Sequence, residues 1–199
     1  MSPLRLLIVG GGHASLPLLG HARRLAEAEG ADLAVVVPAA WLHDGVTVPK
    51  DSPDRARASS LAAEAAVVWL AGEGYPAERL DAVSHAIAAH SFSAGIPPET
   101  VEAKVVQDAD RLDALGAIGI ARLYATAGAM GSALVHPDDP VPAEPSARAL
   151  DDRRWATDHL FVKLLRLPAT MQTVAGRAEA ERRATVLRRF ADDLRLETT

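Results

Sequence analysis

Apolar residues recur with near-helical spacing over residues 19–29, and Gly30 follows where a C-terminal cap would stand. Asp32 can cap a second helix, which carries Leu33, Val36, Val37, Ala40 and Trp41 and runs into the pair His43-Asp44. Gly45, Pro49 and Pro53 break the pattern and predict a loop. A third helix is expected over residues 54–71, with Pro53-Asp54 at its start, and Pro76 opens a fourth that reaches about His90. Pro97-Pro98-Glu99 begins a long helical stretch through Val105, Val106, Ala109, Leu112 and Leu115, and small residues continue it to Met130. Residues 137–146 hold four prolines and two aspartates and read as an irregular surface loop. Two more helices are predicted over 151–167 and 173–197. In the last, Arg182, Arg183, Arg188 and Arg189 have acidic neighbours at helical spacing and read as a solvated face. The pattern predicts an all-α chain. Residues 1–199 are expected to form a single domain, with an atypical N-terminal segment at 1–19 and C-terminal helices at 151–197 packed on the core.

One competing pattern stands at the N-terminus. Leu6-Leu7-Ile8-Val9 followed by Gly10-Gly11-Gly12 resembles a strand feeding a glycine-rich phosphate loop. The dinucleotide fingerprint needs a further glycine where Ser15 stands, and strands alternating with helices, which do not follow. The same apolar run is too short for a signal peptide, and no stretch approaches the ~18 apolar residues of a membrane span. A cytoplasmic protein is the expectation.

Composition narrows the chemistry. The 199 residues include no cysteine, which excludes disulfides, thiolate metal sites and thiol nucleophiles. Any metal must be held by His, Asp, Glu or water. A net charge of -5 and 4% aromatic residues argue against a nucleic-acid polymer as partner.

His43-Asp44 closes an apolar helix. Adjacent helical side chains diverge by ~100°, yet both can reach one ion lying against the helix flank between them. Asp110 lies in the run Val105-Val106-Gln107-Asp108-Ala109-Asp110-Arg111-Leu112, where a carboxylate is costly to bury without a cation or hydrogen bonds.

From about Gly20 onward the chain resembles a family of small HD-domain metal-dependent phosphohydrolases. The matching blocks are Ala40-Trp41-Leu42-His43-Asp44, Lys50 with Asp51-Ser52-Pro53, and His85 through Ser93. They continue with Glu102 through Leu112, His136-Pro137-Asp138-Asp139, Asp158-His159, Lys163-Leu164-Leu165 and Met171-Gln172-Thr173. The resemblance implies an orthogonal helical bundle in which an early His, the His-Asp pair and a late Asp bind a divalent ion. His43, Asp44 and Asp110 occupy three of those positions. The family's first histidine position falls on Ala14 by ungapped counting. His13 is taken as the fourth ligand, swung back by an extended segment before Pro17, and His21 as an exposed helical residue. An imidazole and carboxylate set suits Mn²⁺ first, then Mg²⁺, Co²⁺, Ni²⁺ or Fe²⁺, better than structural zinc.

The resemblance also implies hydrolysis of a phosphoester or phosphoanhydride of a small phosphorylated substrate, a nucleotide foremost. The alternative is a degenerate module that binds nucleotide or metal without turnover. His85 and His90 lie about 140° apart on their helix, so they do not easily share an ion. The family match favours for each a phosphate contact or general-acid role. Lys50 and Arg111 are phosphate candidates, each with an ordinary alternative as a solvated or ion-paired side chain. Asp108 is a candidate to orient a ligand, and His159 and Lys163, at i and i+4, to line the cleft.

Overall fold

The computed structural model describes residues 16–46, 48, 56–91, 94–143 and 146–198. His13 and Lys50 lie outside them. Among the described residues, eight α-helices run in the order α1 (Leu16–Glu29), α2 (Leu33–Leu42), α3 (Ala58–Gly72), α4 (Ala77–His90), α5 (Val101–Asp113), α6 (Gly116–Met130), α7 (Asp158–Val162) and α8 (Val174–Thr198). A 3-10 helix over Leu164–Thr170 lies between the last two. No strand occurs among the described residues; Ala133 and Trp155 form an isolated bridge. None of these helices is long and apolar enough to cross a membrane.

Local chemistry sets the helix ends. Gly30 adopts φ +70° after α1, a left-handed conformation that costs glycine little. The Asp32 carboxylate caps α2 by accepting from Ala34 N at 2.8 Å. Thr100 caps α5 through Ala103 N at 3.2 Å. Helices α1, α2, α4 and α5 pack on one another around buried Ala22, Leu25, Val36, Ala39, Val83, Ile87, Val106 and Ala109. Outside them, α3 lies on α4, while α8 crosses α1, α5 and α6.

Four expectations need correction. The stretch after Pro97 is two helices, because Gly116 turns the chain at φ +72° between α5 and α6. The helix expected over 151–167 is broken up: turns over 152–157 precede the five-residue α7, and a 3-10 helix follows from Leu164. In place of a continuous helix, fully buried Asp158 takes two hydrogen bonds from Arg148, at 2.6 and 2.7 Å, and one from Asp151 N at 2.8 Å. Those bonds tie the preceding loop onto α7. Finally, His21 is buried rather than exposed, and Arg183 is not on a solvated face. Arg183 reaches inward, donating to Leu112 O at 2.8 Å, to Glu179 at 2.7 Å and to His21 Nε2 at 2.6 Å. Arg182, Arg188 and Arg189 do face solvent.

Candidate metal centre

Two helices end at one place, and each ends in a histidine. His43 directly follows α2, and His90 is the last residue of α4. The final carbonyls of a helix lack intrahelical donors. Here each ring supplies one to the carbonyl three residues back: His43 Nδ1 to Ala40 O at 2.8 Å, His90 Nδ1 to Ile87 O at 2.6 Å. A carbonyl only accepts, so each Nδ1 carries the hydrogen. In the neutral rings each Nε2 is therefore the lone-pair donor, the arrangement a metal-binding imidazole needs.

The two Nε2 atoms face carboxylates. His43 Nε2 lies 3.5 Å from Asp44 Oδ2 and 3.8 Å from Asp110 Oδ1, and His90 Nε2 lies 3.7 Å from Asp44 Oδ1. The rings meet edge to face with centroids 4.8 Å apart. Ligand atoms of His43, Asp44 and His90 all fall within 4.8 Å of one another. The imidazoles are sealed at 4% and 7% side-chain exposure, whereas Asp44 is 67% and Asp110 41% exposed. A buried nitrogen floor thus opens to solvent through an oxygen rim. Burial disfavours a charged His90, but Asp44, Asp110 and the Ile87 carbonyl outweigh it and raise this imidazole above the ordinary histidine range.

Cation binding fits these residues. Two helix C-termini aim their negative dipole ends at the cluster, and two carboxylates add charge. The donors are nitrogen and oxygen only, a set suited to a hard or borderline divalent ion rather than to a thiolate-bound one.

The other candidates are held by other partners. His85 is half-buried on α4, and its Nε2 accepts from Glu99 N at 3.0 Å, tying down the segment before α5. Asp108, expected to orient a ligand, is fully buried and instead accepts from Gln172 N at 2.9 Å and from Thr173 N and Oγ1 at 2.8 and 2.7 Å. It joins α5 to the start of α8; burial raises its carboxyl despite those bonds. Arg111 donates to the Thr170 carbonyl, and burial lowers its guanidinium against the charges of Asp108 and Asp110. His159 pairs through Nδ1 with Asp152 at 2.8 Å, and Lys163 is exposed at the end of α7.

Gln107 was not anticipated as part of this neighbourhood. It is buried on α5, and its amide nitrogen donates to Ala89 O at 2.7 Å, one residue before His90. No sequence pattern separates such a glutamine from a surface one, because the bond joins two helices.

Comparison with known proteins agrees with this architecture. The family model of the HD domain matches residues 13–115. The uncharacterized protein YpgQ of Bacillus subtilis is 37% identical over 174 residues, spanning 85% of this chain and 75% of YpgQ. The crystal structure of YpgQ in complex with ADP superposes with a TM-score of 0.70 at 36% identity, covering 93% of this chain and 87% of that one. An HD-superfamily hydrolase from Bacillus thuringiensis gives 0.69 at 32% identity, over 91% and 82% of the two chains.

Proposed function

The chain belongs to the HD-domain family, and from that premise we propose that it is a metal-dependent phosphohydrolase acting on a small phosphorylated substrate, a nucleotide foremost. One observation carries the reading: the Nε2 atoms of two buried histidines face two carboxylates at a solvent-open rim. His43, Asp44 and Asp110 would hold a divalent ion, with Mn²⁺ the first choice by donor type. His90 is added to this set by its position, and His13 is proposed to complete it from outside the described residues. When bound, the ion would supply Lewis-acid stabilisation of charge on a phosphoryl oxygen.

The chain's own groups have distinct tasks in this scheme. The Ala40 and Ile87 carbonyls hold the two rings in the tautomer that leaves Nε2 free. The exposed Asp44 and Asp110 carboxylates would leave the ion open to water and to a phosphate. Arg111, adjacent to Asp110 in sequence, and Lys50 are proposed as phosphate contacts. His85, held by Glu99 N, and the His159-Asp152 pair with Lys163 are proposed to act at the cleft's edge. ADP bound to YpgQ supports a nucleotide as substrate class.

Incubating the purified protein with Mn²⁺ and a panel of nucleoside mono-, di- and triphosphates tests the reading. Metal-dependent release of phosphate or pyrophosphate, stopped by chelator and absent in Asp44→Asn, is the expected result. No release across the panel, with Mn²⁺ bound, would favour a binding module without turnover.

A further inference from the structure

We infer that Gln107 is a positioning residue for the metal centre, fixing the peptide plane that carries His90; the inference rests on the reading above. The carbonyl that Gln107 holds, Ala89 O, belongs to the peptide unit whose nitrogen is that of His90. A peptide unit is planar, so anchoring its oxygen anchors His90 N and constrains its Cα. The ring is in turn tied through Nδ1 to Ile87 O at 2.6 Å. Together the two bonds use carbonyls of the last turn of α4, which the helix itself leaves without donors. Main chain and ring are each held, and Nε2 comes to rest 3.7 Å from Asp44 Oδ1.

The orientation of the amide is settled by its partner. Ala89 O can only accept, so the nitrogen faces it. The oxygen is then buried and meets no donor among the described residues. A buried acceptor without a partner disfavours the folded state, and a methionine of similar shape would remove that disadvantage. An amide that leaves one end unsatisfied between α4 and α5 is what a positional requirement leaves behind. Its location agrees: Gln107 is one helical turn before Asp110 on α5 and bonds the residue before His90 on α4. It thereby sets the separation of two elements that must converge on one ion, as outer-shell partners do for metal ligands.

The test compares wild type with Gln107→Met, and with Gln107→Asn should the first variant fail to fold. The asparagine keeps an amide too short to reach Ala89 O. The first readout needs no metal: imidazole ¹⁵N spectra of the metal-free protein at about pH 9, above the ordinary histidine range. The His90 signals should move from the Nδ1-protonated pattern toward a tautomer mixture, while those of His43 stay. The second is Mn²⁺ affinity by equilibrium dialysis, expected to weaken about tenfold or more. Unchanged His90 signals, or a loss smaller than tenfold, overturns the inference, whatever happens to the melting temperature. If wild type takes up no Mn²⁺, the proposed function fails, while the metal-free spectra still judge Gln107.

Discussion

The hydroxyl of Tyr75 donates to the backbone carbonyl of Ala34. That oxygen is the one whose helical partner would be the amide of residue 38, and residue 38 is Pro38, inside α2. Proline has no N–H and normally breaks a helix interior. Tyr75, from the turn between α3 and α4, supplies the missing donor and lets α2 continue to His43-Asp44. A hydrogen bond 41 residues long in sequence thus underlies the placement of the metal ligands.

A double-mutant cycle should expose that coupling. Tyr75→Phe is expected to destabilise the protein by ~1–2 kcal/mol, since it strands a part-buried carbonyl. In a Pro38→Ala background, where residue 38 regains its N–H, the same change should cost clearly less. Equal losses by urea unfolding in both backgrounds would mean that the hydroxyl does not substitute for the missing amide.

A second consequence concerns Gly176. A Cβ there would overlap Asp108 Oδ2 and come within 2.6 Å of Thr173 Oγ1. Neither atom is free to retreat, because each is already hydrogen-bonded at the start of α8. Gly176→Ala should therefore destabilise by ~2 kcal/mol or more. Thermal unfolding checks it, and a melting temperature equal to wild type would refute the close packing of α5 against α8. Asp108→Ala should lower stability similarly, since it removes the carboxylate that anchors this turn.

How much of this was legible follows the range of each interaction. Asp32 and Thr100 cap residues two or three positions onward, and Gly30 terminates its own helix, so local sequence announces them. His43, Asp44 and Asp110 stand in recognisable blocks. By contrast, His21 meets Arg183 across 162 residues, and Gln107 meets Ala89 across two helices. Helical periodicity assigns a face but not a partner, so an arginine in a run of charges reads as solvated. The break at Gly116 was hidden because small residues on both sides keep a helical pattern going. The sequence offers only the angle of His90 to His85, while its ring direction depends on where α4 ends.

The buried His21 gives the protein a specific acid sensitivity. Its Nε2 accepts from Arg183, and its buried Nδ1 meets no partner among the described residues. Burial first, then the Arg183 charge, lower its pKa from 6.5 to about 4. The folded state thus resists protonation that the unfolded chain accepts. Stability is full above the unfolded value of 6.5 and is lost as pH falls toward about 4. At about 1.4 kcal/mol per unit, the whole shift corresponds to on the order of 3 kcal/mol. His21→Gln keeps an acceptor for Arg183 but cannot charge. Between pH 7 and about 4.5, wild type should lose roughly 2 kcal/mol more than this variant. Parallel losses would show that His21 is already protonated in the fold or exposed in solution.

Which imidazoles complete the ligand set is decided by comparing His90→Ala with His13→Ala. His90 has the geometry: its ring is sealed, its tautomer is fixed by Ile87 O, and its Nε2 faces Asp44. His13 lies outside the described residues and is proposed from its nearness to the family's first ligand position. An octahedral ion has room for both beside His43, Asp44 and Asp110, so the two proposals do not compete. His90→Ala should weaken Mn²⁺ binding at least tenfold while leaving helicity unchanged, because the residue stands at the end of α4 and not inside it. His13→Ala should weaken it as well. Wild-type affinity in His90→Ala would return His90 to a substrate-facing role, to be sought in nucleotide turnover at saturating metal. Wild-type affinity in His13→Ala would leave His43, Asp44, His90 and Asp110 as the complete protein contribution to the site.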